Sequence, residues 1–174
     1  ALSSLTYTQL LDGSSKLQYF DTWLRKAMVR KERVLVFTYS CSARLLLQAY
    51  VGCFTGDLMG ARDDVPIDLI EALGNAAVPF VFGNAPSHLT SRAVKWFEAT
   101  LDECGRRCRL MVLSAIAGGR CLNLPSADAI FIFDVLRSER MVAQVEARAL
   151  RRTRPPARAL HVVQVVACLL YTSP

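Results

Sequence analysis

Five short apolar runs, separated by segments of helical periodicity, constrain the fold of this chain more than any other feature. They are nearly continuous rather than alternating, which is typical of strands buried on both faces of a parallel sheet. Strands and helices that alternate along a chain favour an α/β fold with right-handed crossovers. Ligands of such sheets bind at the carboxyl ends of the strands, so we expect function in the loops that follow the first four runs. The runs cover residues 33–38, 78–82, 109–113, 129–133 and 160–167.

The helices are predicted from apolar residues that recur every three or four positions. The first covers 16–29, with Ser14 or Ser15 placed to cap it. Pro79 indicates that the second strand lies at an edge of the sheet or begins there. A stretch with glycine and aspartate, 52–66, is predicted to be a loop. The other predicted helices cover 40–51, 67–74, 89–103, where Gly105 marks the end, and 139–152.

Composition narrows the class of protein. The chain has 174 residues, 52% of them hydrophobic, which is enough for one domain with a buried core and too little for two of ordinary size. No apolar run reaches the roughly 20 residues that cross a bilayer, and the first residues lack the pattern of a secretory signal. We therefore expect an intracellular protein with no membrane partner.

The cysteines and histidines predict no metal site. Six cysteines are irregularly spaced, which favours reduced, mostly buried thiols over a disulfide framework. Cys104 and Cys108 form the only close pair, and no second pair stands at zinc-finger spacing. His161 lies within the last apolar run, so we expect a buried, hydrogen-bonded histidine.

Positive charge is concentrated in one part of the chain. Residues 137–158 contain seven arginines against Glu139 and Glu146, whereas the whole chain has a formal net charge of +6. A polyanion or a phosphate is therefore the first partner to consider, and a plain solvated face is the alternative.

Two segments have residue types that suit phosphate binding. After the third strand, the loop Ser114-Ala-Ile-Ala-Gly-Gly-Arg-Cys-Leu-Asn123 contains Gly118 and Gly119, and paired glycines let backbone amides approach an anion. Ser114 and Asn123 add side-chain donors. For an isolated Gly-Gly, a tight structural turn is the alternative.

The second segment is the helix predicted over 139–152. Its residues Gln144, Arg148 and Arg151 have the spacing i, i+4 and i+7, which places an amide and two guanidiniums on one helical face. Arginine is always ionised and donates in a planar fork, so such a face can hold a phosphate whose charge is changing.

The order and spacing of these segments resemble motifs V and VI of superfamily-two helicases, and in detail those of the Swi/Snf-type DNA translocases. The shared features are Ser-x-x-Ala-Gly-Gly-x-x-Leu-Asn-Leu, a strand that ends in Phe-Asp, and Gln-x-x-x-Arg-x-x-Arg. Upstream, Ser15-Lys16-Leu17, the strand ending near Ser40, and the spacing from Gly83 to Phe97 also fit. The resemblance covers 14–167 and leaves 168–174 as a tail or fragment boundary.

This resemblance implies a fold and a site. The fold is a RecA-like three-layer α/β sandwich with a mainly parallel central sheet, and the chain corresponds to the second, C-terminal lobe of a two-lobed motor. Arg148 and Arg151 match the arginine fingers that act on ATP held between the lobes. Gln144 and Gly119 match nucleotide-binding positions. The positions expected to face the DNA backbone are Ser87, Ser114, Gly118 and Asn123.

The resemblance also implies partners and cofactors. ATP and Mg²⁺ would be held mainly by an N-terminal RecA-like lobe of the same polypeptide, because no Gly-x-x-x-x-Gly-Lys-Ser/Thr or Asp-Glu-x-His occurs in this chain. We therefore expect no ATPase activity from this chain alone. Double-stranded DNA and nucleosomes are the expected binding partners, in chromatin remodelling or DNA repair, and the nucleus is the expected location.

Several positions depart from the family pattern. Cys121 replaces a glycine, Ala115 a threonine and Thr90 an arginine, and Val135-Leu-Arg-Ser-Glu139 replaces Pro-x-Trp-Asn-Pro. These departures leave open a second hypothesis, a non-catalytic lobe that docks a nucleic acid or a protein. An RNA helicase is a third, and it is disfavoured because the sequence His-Arg-x-Gly-Arg-x-x-Arg is not found.

Overall fold

The computed structural model describes residues 6–58, 78–83, 85–99, 108–115, 122–136, 138–150 and 159–165. Its helices are α1 (Tyr7–Asp12), α2 (Ser15–Val29), α3 (Cys41–Leu58), α4 (Ser87–Glu98) and α5 (Glu139–Glu146). Its strands are β1 (Val34–Thr38), β2 (Phe80–Val81), β3 (Leu110–Ser114), β4 (Ala129–Ile132) and β5 (His161–Gln164).

The five predicted strands form one sheet in the order β2-β3-β1-β4-β5, and every adjacent pair is parallel. Strand β1 is central and buried at all five positions. Strand β2 lies at an edge, as Pro79 predicts, and the Pro79 carbonyl accepts a hydrogen bond of 2.9 Å from the amide of Val112. The prediction of a parallel α/β sheet is confirmed.

Alternate residues of the strands supply two separate cores. On one face, Val34 and Val36 of β1 pack with Phe20 of α2 and Tyr50 of α3. On the other face, Leu35 and Phe37 belong to a second cluster that includes residues of α4 and α5. The sheet is thus covered on both sides by helices, which confirms the three-layer sandwich. Tyr7, Leu10 and Leu11 of α1 join the first core.

Helix α2 begins where the sequence predicts it. The hydroxyl of Ser14 accepts a hydrogen bond of 3.2 Å from the amide of Leu17, so Ser14 is the capping residue. The helix ends in a tight turn in which Lys31 has a positive φ of 61°.

Helix α3 is longer than predicted. The loop prediction for 52–66 is wrong for its first seven residues, because the helix continues through Gly52 to Leu58. A glycine inside a helix costs only about 1 kcal/mol relative to alanine, and the burial of Tyr50 and Val51 stabilises the helix by more than that. The rest of that loop and the helix predicted over 67–74 lie outside the described residues.

Helix α4 begins two residues earlier than predicted and ends at Glu98, before the predicted 103. Its end is set by Arg33, which is only 5% exposed. The Arg33 guanidinium donates hydrogen bonds to the carbonyls of Glu98 at 3.3 Å and Ala99 at 2.5 Å. A cation at the carbonyl end of a helix satisfies groups that would otherwise lack partners.

Helix α5 is shorter than predicted, since it ends at Glu146 rather than 152. Beyond it, Arg148 and Ala149 donate to the carbonyls three residues earlier, so the chain tightens into turns. The carbonyl of Arg148 instead accepts a hydrogen bond of 2.9 Å from the amide of Leu124. This tertiary contact ends a helix that the local sequence Ala147-Arg-Ala-Leu would continue.

The prediction of a buried His161 is wrong. Strand β5 is an edge strand of the described sheet, and His161, Val162 and Gln164 are exposed. Of the cysteines whose side chains the structure describes, Cys108 is buried and Cys41 is exposed, and both are free thiols. No described helix is both long and apolar enough to span a membrane.

Candidate functional site

The carboxyl ends of the three central strands meet at one edge of the sheet, which we call the rim. Thr38 at the end of β1 is aligned with Ser114 at the end of β3. The Thr38 carbonyl accepts a hydrogen bond of 2.9 Å from the amide of Ala115. Strand β4 reaches the same edge, because the amide of Phe133 donates to the Phe37 carbonyl at 2.8 Å.

Asp134 follows Phe133, just beyond the end of β4, and its side chain bonds to the loop at the end of β1. Its Oδ2 accepts hydrogen bonds from the Thr38 hydroxyl at 2.7 Å, the Tyr39 amide at 2.7 Å and the Ser40 amide at 3.0 Å. Thr38 is only 1% exposed. Three donors on one carboxylate oxygen hold the loop between β1 and α3 against the end of β4.

A cavity of about 310 Å³ opens beside this loop. The Arg44 guanidinium lies 5.0 Å from the centre of the Phe82 ring, within the range of a cation–π contact. The Nε of Arg44 is buried and has no hydrogen-bond partner in the described part of the chain. Hydroxyl, thiol and guanidinium groups thus share a mostly apolar cavity, lined by Thr38, Tyr39, Ser40, Cys41, Arg44, Phe82, Gly83 and Ser114.

Of the positions expected to face DNA, three are described. Ser114 lines the cavity. Ser87 is exposed at the first turn of α4, and its carbonyl accepts a hydrogen bond of 2.9 Å from the Ser91 hydroxyl. Asn123 is half-buried, and its Oδ1 has no hydrogen-bond partner among the described residues. Gly118 lies outside the described residues.

The two predicted phosphate-binding segments come together at their backbones. Leu124 directly follows the first segment, and its amide donates to the carbonyl of Arg148 in the second at 2.9 Å. Gln144 is exposed and Arg148 is half-buried. Helix α5 ends at Glu146, so Arg148 lies two residues beyond the helix that is predicted to carry it. Arg151 and Gly119 lie outside the described residues.

The rim is separate from residues 147–150, the described residues after α5, which we call the Arg148 segment. Helix α5 connects β4 to its parallel neighbour β5, so it runs from the rim back toward the amino ends of the strands. Its eight residues span about 12 Å, and Arg148 follows its far end.

Three residues that shape this site are not among the predicted site residues. The sequence places Asp134 only at the end of a strand, and Arg44 and Phe82 only in a helix and a strand. The Phe-Asp pair at a strand end was the one signal that could have singled out Asp134. Nothing local predicts the contact of Arg44 with Phe82, because they are distant in sequence.

The donors present suit a phosphate rather than a metal ion. Guanidinium, amide and hydroxyl groups donate hydrogen bonds to phosphate oxygens, whereas Mg²⁺ needs oxygen ligands. Among the described residues, no group of three or more His, Cys, Asp or Glu side chains could hold a metal ion. The residues of this chain therefore fit the phosphate end of a nucleotide or nucleic acid, and the described part holds no Mg²⁺ cluster.

Comparison with solved structures identifies the fold. The chain is similar to the C-terminal part of the Fun30 ATPase domain, with a TM-score of 0.67 and 17% sequence identity, over 90% of this chain and 42% of that one. The chain has a RecA-like α/β fold. A second similar structure is the C-terminal domain of the Sulfolobus solfataricus SWI2/SNF2 ATPase, with a TM-score of 0.49 and 19% identity, over 89% of this chain and 52% of that one.

The chain thus spans about half or less of each of these two solved chains. No family model matches the sequence, and no curated protein matches it. At this level of identity the likeness establishes the fold and does not by itself establish a function.

Proposed function

We propose that this chain is the second lobe of an ATP-dependent double-stranded DNA translocase of the Swi/Snf type. The observation that carries the proposal is the hydrogen bond of 2.9 Å between the Leu124 amide and the Arg148 carbonyl. It joins the two segments whose order and spacing resemble motifs V and VI, in a chain with a RecA-like fold. The lobe covers 14–167, and α1 packs against it.

Arg148 and Arg151 serve as the arginine fingers in this proposal. ATP is bound with Mg²⁺ mainly by an N-terminal lobe of the same polypeptide, and its terminal phosphate gains negative charge during transfer. A guanidinium directed at those oxygens stabilises that charge, an effect worth on the order of 10³-fold or more in rate. Gln144 and Gly119 bind the nucleotide beside the fingers.

The rim faces the DNA backbone. Hydroxyl, amide and backbone donors hold phosphates without reading bases. Ser114 contacts the DNA backbone from the rim in this proposal, and Ser87, Gly118 and Asn123 add contacts that support tracking along any sequence. The half-buried guanidinium of Arg44 adds positive charge at the cavity. Chromatin remodelling or DNA repair on nucleosomal DNA in the nucleus is the setting proposed, and the isolated chain is inactive as an ATPase.

The test uses the polypeptide that contains both lobes. Arg148→Ala and Arg151→Ala should each lower DNA-stimulated ATP hydrolysis by about 10³-fold, with DNA affinity retained within about threefold. The Leu124 contact uses the Arg148 backbone, so Arg148→Ala leaves it in place. Arg140→Ala removes an exposed arginine of α5 and serves as the control. Full activity of both finger variants would refute the proposal.

A second function, a docking lobe without catalysis, is favoured by one observation. Helix α5 ends at Glu146, so Arg148 lies beyond the helix that is predicted to carry it. This hypothesis expects the wild-type polypeptide to bind DNA or a protein partner with no DNA-stimulated hydrolysis. A hydrolysis assay of the wild-type polypeptide with and without DNA therefore separates the two functions.

A further inference from the structure

Two aspartates bracket the pair of central strands β1 and β4. At the amino ends, the Asp128 carboxylate accepts a hydrogen bond of 2.9 Å from the Arg33 amide. At the carboxyl ends, Asp134 accepts from the Thr38 hydroxyl and from the next two amides. In both cases an aspartate next to one end of β4 accepts a hydrogen bond from a backbone amide next to the same end of β1. Only Asp134 lies at the rim.

Asp134 lies between the two regions of the candidate site, with hydrogen bonds on one side and the polypeptide leading to α5 on the other. On one side Asp134 holds Tyr39 and Ser40, which line the cavity. On the other side only residues 135–138 separate it from α5. Helix α5 leads from there toward Arg148, two residues beyond its end.

Thr38 extends this connection to β3. Its hydroxyl donates to Asp134 at 2.7 Å, and its carbonyl accepts from Ala115 at 2.9 Å. Ala115 directly follows Ser114, which lines the cavity. Two hydrogen bonds through Thr38 therefore connect the end of β3 to Asp134.

We propose that Asp134 is a positioning residue that couples the rim to the Arg148 segment. It holds the loop between β1 and α3 in a fixed relation to the start of α5, so that DNA bound at the rim sets the position of Arg148 toward the nucleotide. This inference rests on the proposed function. The carboxylate suits the role because hydrogen bonds to an ionised acceptor are roughly twice as strong as neutral ones.

The experiment compares four substitutions in the two-lobed polypeptide. Asp134→Asn keeps the shape and removes the charge. Thr38→Val removes the hydroxyl donor, and Thr38→Ser restores it. Asp128→Asn makes the same chemical change at the opposite end of the same two strands, and it is the matched control for lost stability.

The readouts are the ratio of DNA-stimulated to basal ATP hydrolysis, the KM for ATP and the melting temperature. We expect Asp134→Asn and Thr38→Val to lower the stimulation ratio by about tenfold, within the range typical of coupling between sites, with the KM for ATP unchanged. Thr38→Ser should retain the ratio. Asp128→Asn should lower the melting temperature by a comparable amount and leave the ratio at the wild-type value.

The outcomes are distinguishable. A wild-type polypeptide with no stimulation refutes the proposed function and the coupling with it. A stimulated wild type whose ratio survives both Asp134→Asn and Thr38→Val refutes the coupling alone, as does an equal loss of the ratio in Asp128→Asn. If Asp134→Asn does not fold, the Thr38→Val and Thr38→Ser pair decides the question.

Discussion

The phenol of Tyr50 donates a hydrogen bond of 2.7 Å to Oδ1 of Asp21 inside the helical layer formed by α1, α2 and α3. Asp21 is only 8% exposed and Tyr50 is fully buried. The same carboxylate accepts from the Tyr7 phenol and from Nε of Arg25, the latter at 3.1 Å. Asp21 therefore links three helices on one side of the sheet.

Loss of the Asp21 carboxylate should destabilise the chain substantially. Asp21→Ala leaves two phenols without their acceptor, and an unsatisfied buried polar group costs about 1 to 3 kcal/mol. Tyr50→Phe removes one donor of several, so we expect a loss of about 1 kcal/mol. Urea unfolding measures both. Tyr19→Phe, at a side chain 51% exposed, is the control, and an effect of Asp21→Ala as small as that control would contradict the prediction.

The same cluster predicts lower stability at high pH. Burial, and then the hydrogen bond to Asp21, raise the pKa of Tyr50 well above its ordinary value, and burial also raises the pKa of Tyr7. Well below pH 10 tyrosine stays protonated in both the folded and the unfolded chain, so the raised pKa values add nothing pH-dependent there. Above about pH 10 the unfolded chain releases protons that the folded chain keeps.

The free energy of unfolding should then fall with pH, by up to about 1.4 kcal/mol per pH unit for one buried tyrosine. Tyr50→Phe removes that group and should give a shallower fall. The measurement is urea unfolding of both proteins between pH 9 and pH 11. Parallel curves for wild type and Tyr50→Phe over this range would show that Tyr50 does not keep its proton on folding.

Features that depend on local pattern were predictable from the sequence. The five strands are predictable because their apolar runs are short and nearly continuous. Ser14 is a predictable helix cap because a hydroxyl side chain suits the residue before the first helical turn. The parallel topology followed from the alternation of strands and helices. Each of these rests on residues within a few positions of one another.

Features that depend on distant partners were not predictable. Thr38 and Asp134 are 96 residues apart, and Arg33 reaches the end of α4 across 66 residues, so no local pattern reveals either contact. The hydrogen bond between the Leu124 amide and the Arg148 carbonyl is a third contact between distant residues, and α5 is shorter than its local sequence predicts because of it. The prediction that His161 is buried is wrong because an apolar strand at a sheet edge has the same composition as a buried strand.

The two described thiols should differ sharply in reactivity. Burial raises the pKa of the Cys108 thiol to about 12, so its reactive thiolate is about one part in 10⁴ at pH 8. Cys41 is exposed at the first residue of α3. Iodoacetamide at pH 8 should label Cys41 rapidly and Cys108 only through unfolding, as peptide mass spectrometry resolves. Equal labelling rates in the native chain, with both thiols labelled alike in urea, would contradict this prediction.

Replacing Lys31 with glycine should raise the free energy of unfolding. It follows α2 with a φ of 61°, and the amides of Lys31 and Glu32 donate to the carbonyls of Met28 and Ala27, both at 3.0 Å. This turn requires a left-handed residue, which costs a side chain about 1 kcal/mol and glycine almost nothing. Because glycine also makes the unfolded chain more flexible, we expect Lys31→Gly to raise the free energy of unfolding by about 0.5 kcal/mol and the melting temperature by about 1 to 2 °C.

Lys26→Gly is the control. It lies in the last turn of the same helix, removes the same charge and should instead lower the free energy of unfolding by about 1 kcal/mol. Thermal unfolding of the two variants beside the wild type tests the prediction, and a loss of stability in both would show that the side chain of Lys31 contributes more than its backbone strain costs.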